Sequence, residues 1–431
     1  MSAGKTPIDD FYTKLTVAAA VFSVVYEISI VMYAGWPPDS GPWVDHEHFL
    51  FGRDFINTWL GGRSAFYGGP GRWFDFSVYN EAIRQTLGIP YPDTYWSYPP
   101  HVVLFAWPFG LMPYYPAYIA WCAVGIALYL FASSSVIPRE RLLFLMVAPG
   151  IAVCIFFGQN GFYTSALLIG GLLNRERRPV LAGILFGILT FKPQLGLLVP
   201  VVLLLERRWI VIASAVATTA VLVILTAMLF GWNIWIEFWD KVVPQQQEIM
   251  DRIAGLLFGM IGSVFSSARL WDFPLNVAWA MQWIVSALAF AAVVWTYWKP
   301  RDPALSLALF VTATFLFAPY ILNYDMVIFG FVVALLRDRR DITTRDHWLL
   351  VTVWSLPATT MLAVVVWIPL TPLVLIAFAI WLVSLLVLSD GGPIRLLSRT
   401  AGTASPNAFG SDQAARFAAT FSGTRRTLSS A

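Results

Sequence analysis

An aspartate stands in the tetrapeptide Gly52-Arg53-Asp54-Phe55, just ahead of Asn57-Thr58-Trp59. A carboxylate so placed can act as a general base, taking a proton from an incoming hydroxyl; a solvated ion pair with Arg53 is the inert alternative. Tyr98-Pro99-Pro100-His101 joins a rigid turn to one of only four histidines, a residue type able to titrate, hydrogen-bond or bind phosphate. Gly158-Gln159-Asn160-Gly161 opens an apolar run. The first amides of a helix there have no intrahelical partner and favour an anion or a sugar, although Asn-Gly is equally an ordinary hairpin turn. Lys192, in Phe191-Lys192-Pro193-Gln194, is the one basic residue between Arg178 and Arg207. A lysine at a helix break near a membrane is costly without a partner. A lipid phosphate would be such a partner; snorkelling to headgroups is the alternative. Asn323-Tyr324-Asp325, after Ala318-Pro319-Tyr320, and Glu27 inside an apolar run are weaker signals.

The elements that must hold these residues are apolar helices. Of 431 residues 58% are hydrophobic and only 12% charged, about half the roughly 25% charged share of a soluble domain. An aromatic share of 16%, with 20 Trp, suits many interface anchors. Candidate spans are 15–34, 114–136, 142–157, 161–173, 179–191 and 195–205, then 209–230, 275–298, 304–318, 321–336, 348–367 and 370–388. A span needs roughly 20 apolar residues, fewer where its ends are buried in protein, so the expected fold is an all-α polytopic bundle of about 10–13 transmembrane helices. The run 102–112 is a short re-entrant or interfacial piece, and 15–34 reads as an uncleaved first helix. One unit over 1–398 is expected, with a disordered tail at 399–431 rich in Ala, Ser, Thr and Gly. Cys122 and Cys154 both lie in apolar runs, which suggests neither a disulfide framework nor a metal site.

Charge orients the bundle. With the N-terminus in the cytoplasm and sides alternating at each span, 20 of the 28 Lys and Arg fall on cytoplasmic segments, as the positive-inside rule requires. Both termini are then cytoplasmic, in a plasma (inner) membrane protein. The long segments 35–101 and 231–274 face outward, rich in Trp, Tyr, Pro and Gly. Structured loops are expected there, with a short surface helix over 76–87. Every candidate residue named above except Glu27 lies at this external side. No P-loop, zinc motif, dinucleotide fingerprint or nucleic-acid-binding module is present.

In order, the motifs are Gly-Arg-Asp-Phe, Trp96-Ser97-Tyr98-Pro99-Pro100 before a run ending in Pro108 and Pro113, and Gly158-Gln159-Asn160. Phe191-Lys192-Pro193-Gln194 follows, before a span ending in Glu206-Arg207-Arg208-Trp209, and then Ala318-Pro319-Tyr320. Together, over roughly residues 45–340, they resemble glycosyltransferase family 87, polytopic mannosyltransferase-like proteins of the GT-C superfamily. The resemblance implies a GT-C-like bundle, a polyprenyl-phosphate-sugar donor, a lipid or glycan acceptor and an external site whose base is acidic, here Asp54. It implies no cofactor and no tightly bound metal. Lys192 and His101 are then expected at the donor phosphate, and Arg53, Tyr98, Gln159, Asn160, Gln194, Asn323 and Tyr324 at the substrates. The family commonly carries a histidine near the late motif, where this chain has Asn323-Tyr324, with His101 as the substitute. A transporter or flippase of a lipid-linked substrate is the rival class; it accounts for the helices and Glu27, less readily for the long structured loops.

Overall fold

The computed structural model describes residues 7–34, 43–45, 48–252 and 257–391. Regular structure among them is helical, apart from two isolated bridges, Val44 to Leu50 and Ile261 to Leu322. α1 (Pro7–Ala34) is followed by two helices of the first long segment, α2 (Phe55–Ser64) and α3 (Phe76–Leu87), and by α4 (Val103–Gly110) in the short apolar run 102–112. α3 lies where a surface helix was expected. Asp75 caps its start by accepting from the Val78 amide at 3.0 Å, and Gly88, at φ 69°, ends it in the left-handed region.

The apolar bundle continues with α5 (Tyr114–Ser133), α6 (Leu142–Met146), α7 (Pro149–Phe157), α8 (Gly161–Asn174), α9 (Pro179–Leu189), α10 (Val199–Leu205) and α11 (Trp209–Phe230). The second long segment folds into α12 (Asn233–Glu237), α13 (Val243–Asp251), α14 (Leu257–Met260) and α15 (Val264–Leu270). The chain then returns through α16 (Leu275–Tyr297), α17 (Pro303–Phe317), α18 (Ile328–Leu336), α19 (Thr344–Val365) and α20 (Leu370–Gly391). Proline at the first position starts α7, α9 and α17, where its missing N–H is not needed.

The chain is a multi-pass membrane protein. Among the described residues α5, α11, α16, α19 and α20 are each long and apolar enough to cross a bilayer alone. Arg139–Met146 and α7 meet the same length and composition together, as a pair bent by 51° that is either a broken span or a re-entrant loop. The expected span 15–34 falls within the 28-residue α1, and the other five are shorter helices: α8, α9, Pro193–Leu205, α17 and Asn323–Leu336. Their shortness has a packing reason. Every residue of α18, and of α17 from Ala304 to Leu316, is buried by neighbouring helices, so these elements need not meet lipid along their whole length. α11 is the opposite case, with Val216, Val221 and Met228 exposed, the last at 78%. An apolar face of that size is stable against lipid, not water. Glu27 and the expected tail at 399–431 lie outside the residues whose side chains are described.

Short connections make successive apolar helices antiparallel. α8, Pro193–Leu205 and α18 all start at one end of the bundle and run to the other. At that far end Arg175 holds Glu206 through two bonds of 2.7 and 2.8 Å, and Arg339 pairs with Asp302 at 2.9 Å. At the near end α2 packs on α4 backbone to backbone. A Cβ on Gly62 would lie 2.3 Å from the Ala106 carbonyl, and one on Gly110 would lie 2.3 Å from the Arg63 amide. Both positions therefore exclude a side chain. Gly110→Ala should lower stability by about 1–3 kcal/mol through overpacking, read as an earlier thermal unfolding midpoint of the purified protein. An unchanged midpoint would mean the two helices can separate without loss.

Candidate active site

Four candidate groups sit where helices begin. Asp54 is the N-cap of α2 and Asn160 the N-cap of α8. Lys192 precedes the Pro193–Leu195 turn, and Asp325 lies in the first turn of Asn323–Val327. Glycines bring these starts together. Gly158, at φ 62°, ends α7 so tightly against α2 that a Cβ would lie 2.5 Å from the Gly52 carbonyl. The Asp54 amide donates to the Phe157 carbonyl at 3.0 Å across this contact. A Cβ on Gly161 would lie 2.0 Å from the Tyr324 carbonyl, so α8 begins directly against the turn that carries Asp325.

Their side chains form one hydrogen-bonded row. The Lys192 ammonium donates to Asn160 Oδ1 at 3.1 Å. Asn160 Nδ2 donates to the Tyr98 hydroxyl at 3.0 Å, and that hydroxyl donates to Gln159 Oε1 at 3.1 Å. Gln159 Nε2 then donates to Asp54 Oδ2 at 2.7 Å. Each donor points the same way, from the cation toward the carboxylate, so the bonds polarise one another. The backbone of Gln159 is held as well, its carbonyl accepting from Trp121 Nε1 at 3.2 Å and Cys154 Sγ at 3.3 Å. At the cationic end Lys192 also donates to Asp325 Oδ1 at 2.5 Å and lies over the Tyr324 ring, 4.7 Å from its centroid. Lys192 and Asp325 are both buried.

Asp54 itself is half-buried. Burial pushes its carboxyl above the usual carboxylate range, against the opposing pull of Gln159, Arg53 and Lys192. That makes it a stronger base than an exposed aspartate, kept ionisable by the row of donors. Burial likewise raises the Tyr98 hydroxyl well above its ordinary value, so Tyr98 acts in the row as a neutral hydroxyl. His101 is buried, stacked on Trp235 at 5.8 Å, with Thr190 Oγ1 3.4 Å from Nε2. Burial lowers it to about 4, which leaves a neutral imidazole at pH 7, and its Nδ1 has no hydrogen-bond partner among the described residues.

The tertiary structure thus brings Asp54, Gln159, Tyr98, Asn160, Lys192 and Tyr324 together. It sets others aside. Arg53 pairs with Asp45 at 2.9 Å and stacks on Phe49 and Phe156, while its charge also favours the ionised form of Asp54. Gln194 is half-buried beyond Lys192 and outside the row. Asn323 faces α19, donating to the Pro357 carbonyl at 3.3 Å. Asp325, which lies outside the residues expected at the substrates, is the sole acidic residue of the apolar run 321–336, and a buried lysine demands an anion. Among the described residues no group of three or more His, Cys, Asp and Glu side chains is arranged to hold a metal ion.

Residues 96–319 match the profile of glycosyltransferase family 87. The chain belongs to that family. It is a membrane glycosyltransferase, and the match takes in Tyr98, His101, Gln159, Asn160, Lys192 and Gln194. Asp54, Asn323, Tyr324 and Asp325 lie outside the matched segment. No curated protein and no solved structure shows a match to the chain.

The buried ion pair makes a separable prediction. Lys192→Ala leaves Asp325 charged and alone and should cost about 3–5 kcal/mol. Lys192→Met with Asp325→Leu should recover most of that loss in thermal unfolding, since an apolar pair of similar volume is tolerated. A single variant as stable as the parent would show that Asp325 finds another partner.

Proposed function

We propose that the protein transfers a sugar from a polyprenyl-phosphate donor to a hydroxyl of a lipid or cell-envelope glycan, with inversion. The reading rests on Asp54, a half-buried carboxylate held by Gln159 at the end of a polarised row of donors, in a chain of this family. Asp54 takes the proton from the acceptor hydroxyl as its oxygen attacks the anomeric carbon. The bond from that carbon to the donor phosphate breaks on the opposite face, and the phosphate leaves with the electron pair. One displacement inverts the centre.

Lys192 enters this scheme differently from a lysine waiting for phosphate. Two of its three protons already go to Asn160 and Asp325, so its charge is balanced inside the protein. The third proton and the adjoining helix starts are what it offers a departing phosphate. Its larger contribution runs through the row, where it supports the ionised form of Asp54. His101, neutral at pH 7, would serve as a hydrogen-bond donor and not as a cation. The concentration of Lys and Arg on the opposite segments supports a plasma-membrane protein with this site at the external face.

Asp54→Asn should reduce transfer by about 10²–10⁴-fold. It should not cost stability. A carboxyl raised in the folded state binds its proton more tightly there than in the unfolded chain, so stability falls as pH rises from the ordinary carboxylate pKa of about 3.9 through the folded value. At pH 7 the amide should therefore match or exceed the aspartate in thermal unfolding. Wild-type rates in purified Asp54→Asn would end the base assignment. Transfer from a nucleotide sugar, with none from a panel of polyprenyl-phosphate sugars followed by mass spectrometry, would end the donor assignment.

Tyr98→Phe breaks the row between Asn160 and Gln159. The acidic limb of the kcat/KM profile, which reports loss of ionised Asp54 on lowering pH, should move to higher pH while the protein stays folded. A limb that stays in place would show that Lys192 does not act on Asp54 through Tyr98.

A further inference from the structure

The far end of α2 carries a second feature. A cavity of about 220 Å³ opens between α2, the Pro70–Phe74 turn and α3, lined by Arg63, Arg72, Gln85, Thr86, Tyr67 and Trp73. Its two arginines have no ion-pair partner among the described residues. Arg63 is held by aromatic faces, 4.9 Å from the Trp59 centroid and 5.5 Å from that of Tyr67. It donates to the Gly110 carbonyl at 3.3 Å with one of its nitrogens. Arg72 lies 5.6 Å from the Trp73 centroid. The backbone leaves room for it: a Cβ on Gly68, at φ 96°, would lie 2.3 Å from Arg72 Nη1. Trp73 is buried, and its indole N–H has no acceptor among the described residues.

The cavity adjoins an apolar surface. Phe66 and Tyr67 are 51% and 65% exposed, and Phe66 meets the exposed Trp107 ring edge-on at 6.2 Å. Leu111 is exposed beyond it. The glycine contacts hold α2, which lines the cavity, close against α4, which carries Trp107. Tyrosine and tryptophan on such a surface sit at the level of lipid headgroups, and unpaired arginine forks beside them match the oxygens of a phosphate. Arg63 and Asp54 occupy opposite ends of α2, about 14 Å apart at 1.5 Å per residue.

We infer that this cavity binds the phosphate of a membrane lipid, with the Phe66, Tyr67 and Trp107 surface lying in the interface around it. The lipid is either a bilayer phospholipid or a polyprenyl phosphate, and the two share the chemistry that the arginines read. The inference does not depend on the identity of the glycosyl donor.

The test uses the full chain reconstituted in vesicles of phosphatidylglycerol and phosphatidylcholine, with retained lipid read by native mass spectrometry. The wild type should retain phosphatidylglycerol preferentially. Arg63→Gln with Arg72→Gln should lose roughly ten-fold or more of that preference, a difference of about 1.4 kcal/mol. Arg72→Gln alone, at an exposed side chain, should lose part of it with an unchanged unfolding midpoint. Added polyprenyl phosphate that displaces phosphatidylglycerol from the wild type supports the site and makes the carrier lipid its occupant; failure to displace supports it with the phospholipid as occupant. Equal retention by wild type and double variant overturns the inference. So does displacement of the lipid by the same concentration of inorganic phosphate, which would make the cavity a site for soluble anions.

Discussion

A lysine buried among apolar helices must have an anion, and Lys192 finds it 133 residues away in Asp325. Much of the site end follows from that demand. Both residues stand where an apolar helix has been interrupted, Lys192 before Pro193–Leu195 and Asp325 within Asn323–Val327. The interruptions must therefore lie at the same depth. Asp325 is fixed further by the Leu322 amide, which donates to its second oxygen at 3.2 Å. With both oxygens engaged, the carboxylate cannot turn away, and the two broken helices are locked side by side. Removing either partner leaves a charge in a medium that solvates it poorly.

The same pair bears on the electrostatics of Asp54, the proposed base. The Arg53 guanidinium, engaged by Asp45, adds its charge to the support of Asp54. Asp54 is also supported through Gln159, Tyr98 and Asn160, neutral groups that carry polarisation without carrying charge. Such a row keeps the carboxylate ionisable where burial disfavours it, and leaves Asp54 half-buried and not sealed off. A direct lysine partner would hold the aspartate down as a weak base. Placing three neutral groups between them separates the two requirements.

α2 joins Asp54 to the arginine cavity. Its first turn is pressed on the end of α7 at Gly158, and its last turns lie against α4 at Gly62 and Gly110. Neither contact tolerates a side chain, so the helix has little freedom to slide. Asp54 at one end and the arginine cavity at the other are consequently held in fixed register with the bundle. The proposed transfer from a lipid-borne donor would need such a register, because the reacting atoms must meet in a fixed geometry.

Apolar runs, charge asymmetry and motif order carried the membrane class, the helical fold and the family, because each depends on composition or local spacing that no long-range contact can reverse. Gln159, Asn160 and Lys192 stood out for the same reason: polar residues are conspicuous at breaks in apolar helices. What they do there was not legible. That Arg53 serves Asp45, that Asn323 turns to Pro357, and that Lys192 is neutralised by Asp325 are facts of which helix starts converge, and helix packing is decided by glycine contacts far apart in the chain. The direction of the hydrogen-bonded row is likewise a tertiary property, since an amide can donate or accept and only its neighbours choose. Sequence determined which residues had to be partnered; the tertiary structure alone decided with whom, because burying a polar group fixes the need for a partner and leaves its identity to geometry.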